Sequence, residues 1–192
     1  MRIEEWDARY RSGGRAAEDL FAGPAPLVVQ TSARLDPGSA LDLACGTGRN
    51  SIWLAEHGWT VTAVDGSPAA VEILNRRAIE RGLAIEASVV DLEGEFRITP
   101  DSWDLILKCY YLQRSLLPAV RAGVRPGGVA VVIVHLARAG ERTTYKHAAP
   151  GELRGYFADW EVLHYFEGQP KDAAHQRVVA EVVARKPARI SL

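Results

Sequence analysis

Sulfur is scarce in this chain, with two cysteines and one methionine in 192 residues. Cys45 and Cys109 stand in no metal-type spacing, which excludes a disulfide-stapled secreted scaffold and a cysteine-built metal centre. Neither sign of charge prevails. Lys and Arg total 23 against 24 Asp and Glu, a net charge of −1, which removes the electrostatic footprint that nucleic acids and membrane surfaces require. No apolar run approaches the roughly 20 residues of a membrane span. The opening Met1-Arg2-Ile3-Glu4-Glu5-Trp6 lacks the apolar core of a signal peptide. Internal repeats and low-complexity tracts are missing too. These absences predict a cytoplasmic protein with no nucleic-acid or membrane partner, and they leave the oligomeric state open. His57, His135, His147, His164 and His175 follow no ligand spacing, so no metal is expected. A hydrophobic fraction of 47% is enough for a full core. A single domain over 1–192 is expected, with 1–26 as an N-terminal helix and lid segment.

What is present alternates between strand and helix patterns. Strands are read at Ala40–Leu43, Thr60–Val64, Ile85–Val90, Trp103–Leu107 and Val129–Val134, the last after a Pro126-Gly127-Gly128 turn. Helices are read between them, including one that Pro68 opens and Gly82 stops. Such alternation implies a mainly parallel sheet with helices on both faces. Trp160–Phe166 and Gln176–Arg185 have no helix between them and predict an antiparallel edge pair. The richest stretch is residues 41–50, Leu-Asp-Leu-Ala-Cys-Gly-Thr-Gly-Arg-Asn. There Ala44, Gly46 and Gly48 let the backbone turn tightly between strand and helix. The first N–H groups of the helix opening near Asn50 can hold an anion. Asp65, at the end of the next strand, can accept hydrogen bonds from both hydroxyls of a ribose. A nucleoside ligand follows. The dinucleotide pattern G-x-G-x-x-G fails here, because Arg49 stands where its third Gly belongs.

This stretch resembles the first motif of the class I S-adenosylmethionine-dependent methyltransferases. With Gly-Arg-Asn-Ser, Leu-Ala and Val-Thr-Ala-Val-Asp-Gly-Ser-Pro it is similar to their tellurite-resistance and thiopurine-methyltransferase-like branch, over about Leu41 to Pro187. The resemblance implies a Rossmann-like seven-stranded α/β sheet and S-adenosylmethionine as cofactor, released as S-adenosylhomocysteine. It implies a cofactor site built from Tyr10, Asp42, Ala44, Cys45, Gly46, Gly48, Asn50, Asp65, Gly66, Ser67, Asp91, Leu92, Lys108 and Tyr110. Asp42 either orders the Gly loop or reaches the methionine amino group. Asp91 takes the adenine amino group, or else caps a loop.

The acceptor is less legible. Lys108-Cys109-Tyr110-Tyr111 stands where adenine and amide methylases carry Asn/Asp-Pro-Pro-Tyr/Phe, which argues against those substrates. Cys109 lacks the preceding Pro of a cytosine C5 nucleophile. Tyr111 is read as an acceptor-positioning group or a packing residue, and Arg114 as a salt-bridge former. His135 stands where several relatives carry Glu-Thr. The candidate catalytic residues are therefore Tyr111, His135 and His147, with no evident base. A small-molecule acceptor with a soft sulfur, selenium or tellurium nucleophile fits best, since it needs none. A non-catalytic cofactor-binding protein and a nucleotide-dependent oxidoreductase are the alternatives. Arg11–Pro24 and the polar loop Arg138–Ala149 are expected to act as lids.

Overall fold

The computed structural model describes residues 3–13, 22–94, 96–138, 140–141, 143–144 and 146–188. Its strands form one seven-stranded sheet in the order β3-β2-β1-β4-β5-β7-β6. The chain divides into two compact units, residues 1–96 and 97–192.

In the first unit, α1 (Ile3–Arg11) and α2 (Pro26–Ser32) precede β1 (Ser39–Leu43), α3 (Arg49–Glu56), β2 (Thr60–Asp65), α4 (Pro68–Glu80) and β3 (Ile85–Val89). β1 pairs in parallel with β2, Leu41 opposite Thr62, and β2 pairs in parallel with β3, Val61 opposite Ile85. Leu41, Asp42 and Leu43 are all buried, as a strand covered on both faces requires. Ser67 caps α4, its hydroxyl accepting the Ala70 N–H at 3.2 Å, and Pro68 supplies a preset φ at the first helical position. Gly82, at φ +65°, ends the helix as expected.

The second unit holds β4 (Trp103–Cys109), a 3₁₀ turn (Arg114–Leu116), α5 (Leu117–Gly123), β5 (Val124–His135), α6 (Glu152–Gly155), β6 (Glu161–Gly168) and β7 (Val179–Arg185). β4 and β5 are parallel, while β7 is antiparallel to both β5 and β6. The mainly parallel sheet with an antiparallel edge pair is thus present. Two boundaries differ from the sequence reading. β5 does not start after Pro126-Gly127-Gly128 but runs through it. Trp103 pairs with Val124 and Leu105 with Val129, so the turn chemistry is spent on a bulge inside the strand. The helical pattern over Gly151–Phe157, ahead of the edge pair, yields only a single turn, Glu152–Gly155.

Candidate functional site

The first unit builds its site on the turn joining β1 to α3. Ala44, Gly46 and Gly48 have φ of +55°, +57° and +79°. Three left-handed residues in five reverse the chain within a few ångströms, and Ala44, which carries a Cβ, holds that conformation under strain. The turn is clasped to β2, with the Cys45 N–H donating to the Val64 carbonyl at 3.1 Å. An added Cβ at Gly48 would lie 2.1 Å from Cδ1 of Leu74, so α4 packs directly on the turn. From the same helix, Arg77 donates through Nη1 to the Thr47 carbonyl at 2.7 Å. Arg77 carries no sequence signal for this role, since its partner lies 30 residues away.

Asp65 stands where β2 ends. Its Oδ2 accepts the Gly46 N–H and its Oδ1 the Ser67 N–H, each at 2.8 Å. A carboxylate has about four acceptor positions, so this group can order both loops and still suit a diol. Asp42 is buried, and its Oδ2 accepts the Ser51 hydroxyl at 2.6 Å. It thereby ties β1 to the first turn of α3. Burial, and then the charge of Asp65, push its carboxyl up to about 7. The Cys45 thiol is pushed well above its usual value by burial first and then by Asp65 and Asp42, so it stays protonated and inert.

Other expected residues also have partners within the protein. The Asn50 side chain accepts the Ala25 N–H at 2.9 Å and Arg49 donates to the Gly23 carbonyl at 3.1 Å; together they hold the segment leading into α2. Asp91 is exposed and its Oδ1 accepts the Glu93 N–H at 2.9 Å, while Leu92 beside it is buried. Tyr10 is buried against Ala69 and Ala70, with Trp6 and Ile73 packed around it. A Cβ at Gly66 would meet Ile3 of α1 at 2.9 Å, so α1 lies over the turn after β2. The remainder of the first expected lid, residues 14–21, falls outside the described residues.

In the second unit, Lys108 is fully buried near the end of β4. Its Nζ donates to the Tyr111 carbonyl and lies 5.2 Å from the centre of the Tyr111 ring. Burial pushes its amine down to about 7. Tyr110 adopts φ +61°, and its hydroxyl donates to Oδ2 of buried Asp172 at 2.8 Å. Its ring stacks on His175, centroids 3.4 Å apart and planes 6° from parallel, and lies 5.7 Å from His135. His135 and His175 are 5.4 Å apart. Tyr110, expected at the cofactor site, and His135, a candidate catalytic residue, are neighbours here; no role was read from the sequence for Asp172 or His175. Their signal is the β6–β7 pairing, which returns the connecting segment to this end of the unit. Tyr111 donates through its hydroxyl to Gln113 at 2.9 Å. His147 is not in this cluster. Its Nδ1 lies 3.4 Å from the Thr144 hydroxyl, and burial, then the Arg177 charge, lowers its pKa. Arg114 is the expected salt-bridge former. It contacts Glu152 at 2.6 and 2.9 Å and donates to the Thr144 and His147 carbonyls, tying down the second expected lid.

The buried carboxyl and the buried amine make opposite predictions for stability against pH. Asp42 titrates near 3.8 when unfolded and near 7 when folded, so folding takes up a proton in that window and stability falls as pH rises through it. Lys108 titrates near 10.5 unfolded and near 7 folded, so folding releases a proton and stability rises over that interval. Thermal unfolding from pH 4 to 10 is expected to show the fall flattened in Asp42→Asn and the rise flattened in Lys108→Met. Unchanged slopes would mean that these groups are solvated.

Among the described residues no helix is long and apolar enough to cross a membrane and no cluster of three metal-ligating side chains exists. Residues 25–177 match the family profile described as tellurite resistance protein TehB. The chain is 34% identical over 152 residues to Hemagglutinin 1 of Eikenella corrodens, covering 72% of this chain and 48% of that protein. It is 26% identical over 150 residues to the probable S-adenosyl-L-methionine-dependent methyltransferase TehB of Haemophilus influenzae, covering 73% and 52%. The chain thus spans about half the length of these curated relatives. The crystal structure of Haemophilus influenzae TehB superposes with a TM-score of 0.72 at 26% identity, over 83% of this chain and 61% of that one. A structure from work on conversion of a disulfide bond into a thioacetal group during echinomycin biosynthesis shares the fold, with TM-score 0.73 and 23% identity over 98% and 93% of the two chains. A family match over most of the chain, on a class I methyltransferase sheet, leads to one conclusion: this chain belongs to the TehB tellurite resistance protein family.

Proposed function

We infer that this chain, acting as a single domain, transfers the methyl group of S-adenosylmethionine to a small-molecule acceptor. The observation that carries this reading is the Gly46–Asp65–Ser67 junction, a carboxylate fixed by two backbone N–H groups at 2.8 Å beside a turn with three left-handed residues. The chemistry fits the cofactor. Asp65 suits ribose hydroxyls, and Asp65 and Asp42 give the turn an acidic character that favours a cationic sulfonium and ammonium over a pyrophosphate. Arg49 stands in place of the third Gly of a dinucleotide site, which counts against the oxidoreductase reading. When bound, the cofactor supplies a methyl group on an electrophilic sulfonium. The chain's part is then to align the acceptor and exclude water.

Tyr110, His135, His175 and Asp172 are the best candidates for acceptor contact, with Tyr111 beside them. A soft sulfur, selenium or tellurium nucleophile is the acceptor class we favour, in keeping with the tellurite resistance for which the family is described. The stacked rings and the Tyr110–Asp172 bond position a small acceptor, and the imidazoles can take a proton from a thiol. Asp172→Ala is expected to lower turnover at least tenfold while changing S-adenosylhomocysteine affinity less than about threefold, a ratio set by about 1.4 kcal/mol per tenfold. Equal losses in both would assign Asp172 to the cofactor or the fold. The test of function is release of S-adenosylhomocysteine from S-adenosylmethionine with thiol, selenite, tellurite and amine acceptors. Turnover with the chalcogen compounds supports the reading, turnover with amines alone overturns the acceptor class, and none at all favours a non-catalytic cofactor binder.

A further inference from the structure

We propose that Asp7 of α1 is a positioning residue for the cofactor, acting through a hydrogen-bonded chain that ends at the Gly loop. This rests on the cofactor reading above. The chain of contacts is continuous. Arg11 Nε donates to Asp7 Oδ2 at 2.6 Å, and Asp7 Oδ1 accepts both the Ser67 hydroxyl and the Ala69 N–H at 2.8 Å. The Ser67 N–H then reaches Asp65 Oδ1, and Asp65 Oδ2 accepts the Gly46 N–H, again at 2.8 Å each.

Asp7 thus caps the first turn of α4 from another helix. Ser67 caps the same turn locally through the Ala70 N–H, so two side chains share the donors that a helix leaves unsatisfied at its start. The Ala69 N–H first, and Arg11 second, hold the Asp7 carboxyl below its usual range, consistent with a carboxylate kept ionised at this helix end. The apolar side of α1 fixes the approach. Tyr10 is buried against Ala69 and Ala70, and Ile3 lies where a side chain on Gly66 would stand. One helix thereby sets both the Ser67 hydroxyl and the turn that aims Asp65. In a chain of this kind the coupling is reciprocal: whatever a docked α1 adds to cofactor affinity, bound cofactor adds to the docking of α1.

The test is calorimetric titration of S-adenosylhomocysteine into wild type, Asp7→Ala, Asp7→Asn and Arg11→Ala, with amide exchange of residues 3–11 and 67–70 in the free and bound proteins. Asp7→Ala is expected to bind about tenfold more weakly. Asp7→Asn keeps an oxygen for Ser67 and Ala69 and should lose about threefold; Arg11→Ala should lose less than twofold. Ligand should slow exchange in α1 of wild type and not in α1 of Asp7→Ala, a readout that a merely structural cap would not move. If Asp7→Ala fails to fold, the asparagine variant carries the test, by its affinity loss and by weakened ligand protection of α1. Wild type that binds no S-adenosylhomocysteine would overturn the cofactor reading and this inference with it. Wild type that binds, with both Asp7 variants within twofold of it, would overturn this inference alone.

Discussion

Asp65→Ala is expected to weaken S-adenosylhomocysteine binding by roughly 10- to 150-fold, the equivalent of about 1.5–3 kcal/mol for a lost charge-assisted hydrogen bond. The loss should sit at or above the upper end, because Asp65 also holds the Gly46 and Ser67 N–H groups at 2.8 Å. Without it, the Gly loop and the turn into α4 lose their common anchor. The fold should suffer much less. Asp65 is only part-buried at a strand end, and water can replace the carboxylate at the two freed N–H groups. Titration calorimetry and thermal unfolding of the same preparation separate the two effects. A variant that unfolds several degrees early yet binds normally would make Asp65 a structural clasp and nothing more.

Gly48→Ala is expected to be strongly destabilising for so small a substitution. The position needs φ +79° and leaves 2.1 Å between an added Cβ and Cδ1 of Leu74. Leu74 is fully buried, so it has nowhere to go. Left-handed backbone in an L-residue costs about 1–2 kcal/mol, and forcing a methyl into a packed core about 1–3 more. Gly127→Ala is the matched control, since Gly127 also has φ +83° but nothing within 4 Å of an added Cβ. Urea unfolding should place Gly48→Ala well below Gly127→Ala. Equal midpoints would show that α4 yields, and that the close packing of helix on turn is not a constraint.

Much of the fold was legible because its signals are local. Hydrophobic runs, Pro68 and Gly82 mark elements that hold in the structure, and three left-handed residues fall at Ala44, Gly46 and Gly48. Turn chemistry was legible at Pro126-Gly127-Gly128, but not its context. Only the pairing of β4 with β5 tells a bulge from a strand boundary. The site is harder, because side-chain partners are set by tertiary contact. Asn50 and Arg49 sit beside the Gly loop in sequence, and their bonds to the backbone at Ala25 and Gly23 span about 25 residues. Asp7 gave no signal of its role: its bond to Arg11 spans four residues, while its cap on Ala69 spans 62. His175 reads as a residue before an edge strand. Its stack on Tyr110 depends on where the hairpin returns, and no spacing encodes that.

The acidic, tightly turned nucleoside site is proposed to take S-adenosylmethionine. Calorimetric titration of wild type with S-adenosylhomocysteine and, in parallel, with NAD tests it most directly. Saturable one-to-one heat is expected for S-adenosylhomocysteine, with a dissociation constant on the micromolar scale, about −8 kcal/mol, and none for NAD. Saturable heat with NAD and none with S-adenosylhomocysteine would contradict it.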